Sequence, residues 1–382
     1  MRTGLMTCYI DNYGACLQAY ALSKTIEEIA GQCEIIQYTP YYDIEQSKPK
    51  TIPQEAVSLK LKRALLHPVK FAKRQNYFQK SKMRAVKFQS FRDEHLKFGD
   101  TFYKTYEQLK ANPPQLDAFV CGSDQIWNPV IHRNTNVPAY FLDFVPKGKK
   151  RIAYSPSIGV QELPEECKGG MAEFLTKFDY LSVREQRGLE LISEISDAKA
   201  QVIIDPTLLL NGEKWSQIAK SVSVSGEYIF CYLFNENSET YKFVSAVAKQ
   251  TGLKVVTLPY SFNDIYSKSE KIYDAGPCEF LYLIKNAAMV ITDSFHATAF
   301  SLNFNKDFYC ILRNKVGEKN NMNSRIHSIL DIAGLTSRIV TDLNVDISEF
   351  APIDYEIVNS RIQNERERGR KYLYDALLSK EL

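Results

Sequence analysis

The segment from Met289 to Ser301 reads MVITDSFHATAFS: an apolar run ends at Asp293-Ser294 and a helix-like stretch follows. Asp293 or Ser294 suits the cap of that helix. His296 then falls in the first turn, where backbone N–H groups point outward and the dipole favours an anion. An imidazole so placed can donate and accept protons near neutral pH. It can equally be a structural histidine; what singles it out among the five histidines of the chain is its place at a strand end.

Three further strand-end motifs carry polar groups. Asn12-Tyr13-Gly14-Ala15 follows the first apolar run and opens a helix with Leu17, Tyr20, Ala21 and Ile26 at periodic positions. Gly14 there either lets a ligand approach the backbone or makes a plain turn. In Asp117 to Pro129, DAFVCGSDQIWNP, a strand runs into Gly122-Ser123-Asp124-Gln125. Their backbone donors, hydroxyl and carboxylate suit sugar hydroxyls or an oxyanion, while Ser123 or Asp124 also suits a helix cap. In Tyr180 to Glu185, YLSVRE, Arg184 stands just past a strand. It can grip a carboxylate or phosphate in two-pronged fashion, or pair with a structural acid such as the adjacent Glu185. Gly276-Pro277-Cys278-Glu279 reads as a helix start with proline in the first turn.

The elements that must hold these residues follow from the apolar pattern. Runs at 4–10, 34–38, 118–122, 151–155, 180–183 and 201–205, then at 228–234, 254–260, 289–293 and 308–312, alternate with helical stretches. Many are continuously apolar, as strands buried on both faces of a parallel sheet are. At 382 residues, two domains and a cleft are expected. The polar stretch around Asn211-Gly212 and Ser221 to Gly226 places their boundary near 211, giving domains 1–210 and 211–354, the first with a basic helical insertion near 56–99. Residues 355–382 read as a charged helix whose Val358, Ile362, Tyr372, Leu373, Ala376 and Leu377 recur at helical spacing, so it needs a surface to pack on.

Composition narrows the function. A net charge of +3 does not argue for nucleic acid, and no apolar run reaches the roughly 18 residues that span a bilayer, so a cytoplasmic protein is expected. The eight cysteines show no CxxC spacing, which argues against zinc or a disulfide framework, and no metal is expected. Locally the balance differs: from Ala56 to Arg92 there are eleven Lys or Arg and no Asp or Glu, interleaved with apolar residues. Such a stretch is either a solvated helical face or a surface for an anionic membrane or an anionic acceptor.

Taken in order, NYG with Leu17-Gln18-Ala19, GSDQIWNP, SVRE, Asp205-Pro206-Thr207-Leu208-Leu209 and TDSFH resemble the polysaccharide pyruvyl transferase family over most of the chain. The resemblance implies an α/β fold of two Rossmann-like domains facing a cleft, similar to the GT-B architecture, with a C-terminal helix crossing back. It implies transfer of a pyruvyl group from phosphoenolpyruvate, as co-substrate with no other cofactor, onto a sugar as a ketal, in cell-surface polysaccharide assembly. The acceptor would be a sugar or a lipid-linked or nucleotide-linked glycan. His296 matches the acid–base histidine and Arg184 a donor-binding base. Asn12, Tyr13, Gly14, Ser123, Asp124 and Gln125 are then expected on the acceptor side. Family members often carry arginine two residues before this histidine, where this chain has Ser294. Arg313, Lys315 and Arg325, which follow the next strand, are the candidates to supply donor charge beside Ser294. Two other readings share the pattern: a glycosyltransferase using a nucleotide sugar, and a non-enzymatic anion- or glycan-binding module.

Overall fold

Short runs of β-branched and aromatic residues, buried along most of their length, form strands that need cover on both faces, and the intervening amphipathic stretches supply it as helices. The computed structural model describes residues 1–10, 12–38, 40, 68–235, 238–259, 268–313 and 322–379. The first sheet contains β1 (Arg2–Met6), β2 (Gln32–Tyr38), β3 (Phe98–Tyr103), β4 (Ala118–Cys121), β5 (Lys150–Ala153), β6 (Tyr180–Val183) and β7 (Gln201–Val202). The second contains β8 (Tyr228–Tyr232), β9 (Lys254–Thr257), β10 (Glu270–Lys271), β11 (Met289–Thr292), β12 (Asp307–Ile311) and β13 (Ile339–Val340). Their helices are α1 (Tyr13–Ala30), α2 (Pro68–His95), α3 (Tyr106–Ala111), α4 (Glu165–Leu175), α5 (Gln186–Ile195), α6 (Gly212–Ile218), α7 (Ser238–Thr251), α8 (Pro277–Lys285), α9 (Phe295–Asn303), α10 (Ser324–Ala333) and α11 (Tyr355–Leu378).

The strand orders are β3-β2-β1-β4-β5-β6-β7 and β10-β9-β8-β11-β12-β13, and every pairing is parallel. Each sheet therefore reverses its winding once, between β1 and β4 and between β8 and β11. Ligands of such sheets bind beyond the strand ends at these reversal points. The loops there are the NYG, GSDQ and TDSFH segments and the turn after β8.

One hydrophobic core runs through both sheets, joining Leu5, Val120 and Ile152 of the first to Phe230, Val290 and Phe308 of the second. Tyr13 sits at the joint, stacked on Phe280 at 4.7 Å and tilted against Phe88 at 4.8 Å, with its hydroxyl donating to the Ala275 carbonyl at 2.7 Å. α11 returns from the second sheet to the first, burying the six apolar residues that its periodicity marks. Tyr372 donates to the Ala153 carbonyl at 2.9 Å, and Lys150 Nζ caps the end of α11 through the carbonyls of Ala376, Leu377 and Ser379. The architecture is thus α/β, two parallel sheets facing each other, with a terminal helix crossing back.

The basic stretch splits in two. Residues 56–67 lie outside the described ones, whereas α2 docks on the second sheet's side: Arg84 donates to the carbonyls of Tyr273 and Pro259 at 2.9 and 3.0 Å, and Lys87 pairs with Glu279 at 3.0 Å. Phe88 and Phe91 are core residues, while Met83 and Val86 stay exposed. After α2 the chain enters β3, an edge strand; the helical pattern near 56–99 gives no sign of it because FGDTFY interrupts its apolar residues with Gly99, Asp100 and Thr101.

Candidate functional site

Each reversal point is latched by one side chain. In the first sheet it is Gln18 of α1: Nε2 donates to Thr7 Oγ1 at 2.8 Å and to the Cys8 carbonyl at 2.9 Å, and Oε1 accepts the Ser123 N–H at 2.9 Å. In the second it is Asp293, whose carboxylate accepts the N–H groups of Phe234 and Asn235 at 2.8–3.1 Å. Burial pushes the Asp293 carboxyl up, against the pull of Arg313 and of those amides. The latches hold the loops beyond β1, β4, β8 and β11 in one arrangement.

α9 then starts as its sequence dictates. Ser294 caps it, Oγ accepting the Ala297 N–H at 3.4 Å, and His296 lies in the first turn, 7% exposed. The imidazole packs on α1. A Cβ on Gly14 would stand 1.9 Å from His296 Nδ1, so only glycine fits beneath this ring. The motifs at Gly14 and His296, 282 residues apart in the chain, are therefore in direct contact.

His296 Nε2 lies 3.7 Å from Asp205 Oδ2, an ion-pair distance rather than a hydrogen bond. Asp205 is fully enclosed. Its Oδ1 accepts the Thr207 N–H and hydroxyl at 2.9 and 2.7 Å; its Oδ2 accepts Arg184 Nη1 at 2.6 Å and the Ser123 hydroxyl at 3.1 Å. Burial by itself would raise this carboxyl, but the contact with His296, the Arg184 charge and Thr207 hold it far below the usual carboxylate range. Sequence reasoning gives Asp205 no role. Its signals are an acid followed by proline at the end of an apolar run and its place in one of the segments that carry the resemblance.

Arg184 is 3% exposed, its guanidinium 4.2 Å over the Phe295 ring. Besides Asp205 it faces Asp124 at 3.6 Å and Glu185 at 3.9 Å; burial would lower it, and these three carboxylates together raise it. Its Nε and Nη2, His296 Nε2 and Glu185 Oε2 are buried without a hydrogen-bond partner. They lie at longer range from charges: Arg184 Nε is 3.9 Å from Glu185 Oε2, Arg184 Nη2 3.6 Å from Asp124 Oδ1, and His296 Nε2 3.7 Å from Asp205 Oδ2. Glu185 Oε1 meanwhile holds Ser157 Oγ and the N–H groups of Ile158 and Gly159 at 2.9–3.0 Å.

Arg325, on α10, is buried and pushed down to about 9, by burial first and then by the charges of Arg184 and Arg313, against the pull of Glu185 and Asp124. Arg313 spans the Asp293 turn, Nε donating to the Asp293 carbonyl at 2.9 Å with its guanidinium 3.9 Å over Phe234. Arg313 and Arg325 thus lie within electrostatic reach of one another and Arg325 within that of Arg184. Lys315 lies outside the described residues.

The expected acceptor residues divide. Asn12 caps α1 through the Ala15 N–H, Tyr13 spends its hydroxyl on Ala275, and Gln125 Oε1 accepts Asn128 Nδ2 at 2.8 Å. Ser123 is fully buried, donating to the Ser155 carbonyl and Asp205. In these four the oxygens Asn12 Oδ1, Tyr13 Oη, Gln125 Oε1 and Ser123 Oγ are engaged inside the protein. No helix follows GSDQ; instead Asp124 adopts φ 59° in a turn, partly exposed beside Arg184. Gly122, at φ +126° and with Tyr154 O 1.9 Å from a Cβ position, makes that turn possible. Among the described residues no cluster of three or more His, Cys, Asp or Glu could hold a metal, and no helix is long and apolar enough to cross a membrane.

A family model described as polysaccharide pyruvyl transferase matches residues 12–315. No curated protein matches the sequence. Among solved structures, a Listeria monocytogenes protein assigned as UDP-N-acetylglucosamine 2-epimerase is similar at TM-score 0.51 and 7% identity, over 99% of this chain and 90% of that one. At such identity the likeness is one of fold alone, the GT-B architecture. UDP-GlcNAc 2-epimerases from Methanocaldococcus jannaschii (TM-score 0.45, 13% identity, 86% of this chain and 91% of that) and Neisseria meningitidis (TM-score 0.45, 8%, 99% and 97%) also match.

Proposed function

The chain belongs to the polysaccharide pyruvyl transferase family, and on that premise we propose that it moves a pyruvyl group from phosphoenolpyruvate to a pair of sugar hydroxyls, forming a ketal in cell-surface polysaccharide assembly. The observation that carries this reading is the meeting of His296, from the second sheet, with Gly14 and Asp205 from the first, beside Arg184.

Phosphoenolpyruvate brings a carboxylate and a phosphate, and removing both from water needs paired cations. Arg184 offers two unpartnered N–H groups. Arg325, disfavoured by its cationic neighbours, gains from an anion set among the three guanidiniums. Transfer begins with a proton delivered to the methylene carbon. The C2–C3 π electrons form the new C–H bond, and the cation left at C2 is attacked by the first sugar hydroxyl. Phosphate departs with the C–O bonding electrons, and the second hydroxyl closes the ketal, its proton leaving on the phosphate. His296 is the residue we assign to give the first proton and take one from an attacking hydroxyl. Asp124, partly exposed beside Arg184, is the residue we assign to the acceptor side.

One observation favours a second donor. Ser294 is consumed as a helix cap, so no cation stands two residues before His296, and Arg184 already faces three carboxylates. A nucleotide sugar would then fill the cleft. Calorimetry separates the two, because a ligand stabilises only the state that binds it. Phosphoenolpyruvate should raise the unfolding temperature and release phosphate on addition of an acceptor glycan. A response to nucleotide sugars alone would replace this donor.

A further inference from the structure

We propose that Asp205 is the positioning residue of the site, fixing His296 in the tautomer protonated at Nε2 and so leaving Nδ1 as the nitrogen that exchanges a proton with substrate. This rests on the acid–base role given to His296 above, and it goes further by naming the working atom and the group that selects it.

The geometry is one-sided. Nε2 is buried with no hydrogen-bond partner and faces a carboxylate oxygen at 3.7 Å. A lone pair aimed at that oxygen would be repelled, whereas an N–H is attracted. Asp205 cannot turn away, since four hydrogen bonds from Thr207, Arg184 and Ser123 hold both its oxygens. It also stays charged, because its carboxyl is held far below the usual range.

On the other side of the ring, the Gly14 Cβ position lies 1.9 Å from Nδ1 and 2.5 Å from both Cγ and Cε1. A position 1.9 Å out from Nδ1 in the ring plane would lie farther than 2.5 Å from both carbons, so Gly14 sits over the ring face, clear of the in-plane direction in which Nδ1 donates or accepts. The helix is pinned as well. α9 is tied to the same turn at both ends, by His296 beside Asp205 and by Asn303 Nδ2 donating to the Thr207 carbonyl at 2.8 Å.

The charged groups around the pair are Arg184 and Glu185 at the end of β6, Asp124 in the turn after β4, Arg325 from α10, Asp293 at the turn before α9, and Arg313 after β12. Asp205 balances Arg184 together with Asp124 and Glu185, so losing its charge weakens that balance and takes the carboxylate away from Nε2. Both changes favour the neutral ring.

In the transfer, the Nδ1–H bond of the imidazolium breaks as the methylene C–H forms. The neutral ring that remains carries its proton on Nε2 toward Asp205, and Nδ1 holds the lone pair that later accepts a hydroxyl proton.

The test is ¹⁵N NMR of the intact protein, with the His296 signals assigned by their loss in His296→Gln. The neutral ring should be protonated at Nε2; protonation at Nδ1 overturns the proposal without any variant or turnover. Asp205→Asn should then lower kcat by about 100-fold, change KM less than about threefold, and move the alkaline limb of the kcat/KM profile to lower pH. A folded Asp205→Asn protein with an unshifted limb overturns it too. If the tautomer is as stated but phosphoenolpyruvate is not turned over, the donor assignment fails and the positioning role stands.

Discussion

His296, in the helix after β11, and Asp205, just past β7, come from different halves of the molecule and meet at 3.7 Å, with Arg184 Nη1 on the same Oδ2 at 2.6 Å. The contact depends on both halves keeping their register. Residues that hold the joint should therefore affect the chemistry, and residues that only fill the outer layers should not.

Replacing His296 by Gln should reduce turnover by at least 100-fold, the usual contribution of a positioned acid–base group. The side chain is 9% exposed and Nε2 makes no hydrogen bond, so folding should persist. Steady-state kinetics with a circular-dichroism melt checks both; activity within tenfold of the parent rules out the assigned role.

Gly14→Ala reads the packing of the imidazole. In a helix this change alone would stabilise by about 0.5–1 kcal/mol, but the new methyl would stand 1.9 Å from His296 Nδ1. The clash decides the sign. The ring should be displaced, with activity lost and stability unchanged or lower, and a crystal structure of the variant showing His296 unmoved would contradict the packing described.

Acid should loosen the protein in two stages. Burial lowers His132 from 6.5 to about 4, against hydrogen bonds to the backbone of Ile126 and Gln125, so its imidazole stays neutral in the fold. A depressed folded value gives stability present above 6.5 and lost as pH falls toward 4, up to about 3 kcal/mol for such a shift. Asp205 follows. Its carboxyl is depressed too, so its contribution is present above the unfolded value near 4 and is lost only at lower pH. Urea titrations from pH 8 to 3 should show the first loss, and His132→Phe should remove it.

Arg184→Leu leaves Asp205 buried without its closest cation and should cost about 3–5 kcal/mol. The same change removes the guanidinium proposed to hold the donor. Chemical denaturation will show whether the loss is that large; a cost below about 1 kcal/mol would mean Asp205 finds another partner.

On α2, Arg84 and Lys87 are held by the second sheet's side, whereas Lys82 is exposed beside Met83 and Val86. If this helix touches an anionic membrane that carries the acceptor, Lys82→Glu should weaken co-sedimentation with anionic liposomes. Arg84→Ala should instead lower stability by loosening the helix from the Tyr273 and Pro259 carbonyls.

Long apolar runs and strand-end polar motifs made much of this legible in the residues. β6 spans 180–183 as its pattern indicates, and the six apolar positions of α11 are buried together. β3, β10 and β13 were not legible: β3 mixes Gly, Asp and Thr into its pattern, and the other two are only two residues long. At the site, His296, Gly14 and Arg184 announce themselves by position. Asp205 and Gln18 do not, because their importance comes from partners about a hundred residues away that only the folded chain supplies.

The most direct measurement is NMR of the reaction of ¹³C-labelled phosphoenolpyruvate with a panel of glycans in D₂O. A protonated methylene should appear as a ketal methyl group carrying one deuterium, with one phosphate released per ketal, and both signals should vanish in His296→Gln. Folded wild-type protein that yields neither ketal nor phosphate across the panel, yet is stabilised by nucleotide sugars, would contradict pyruvyl transfer.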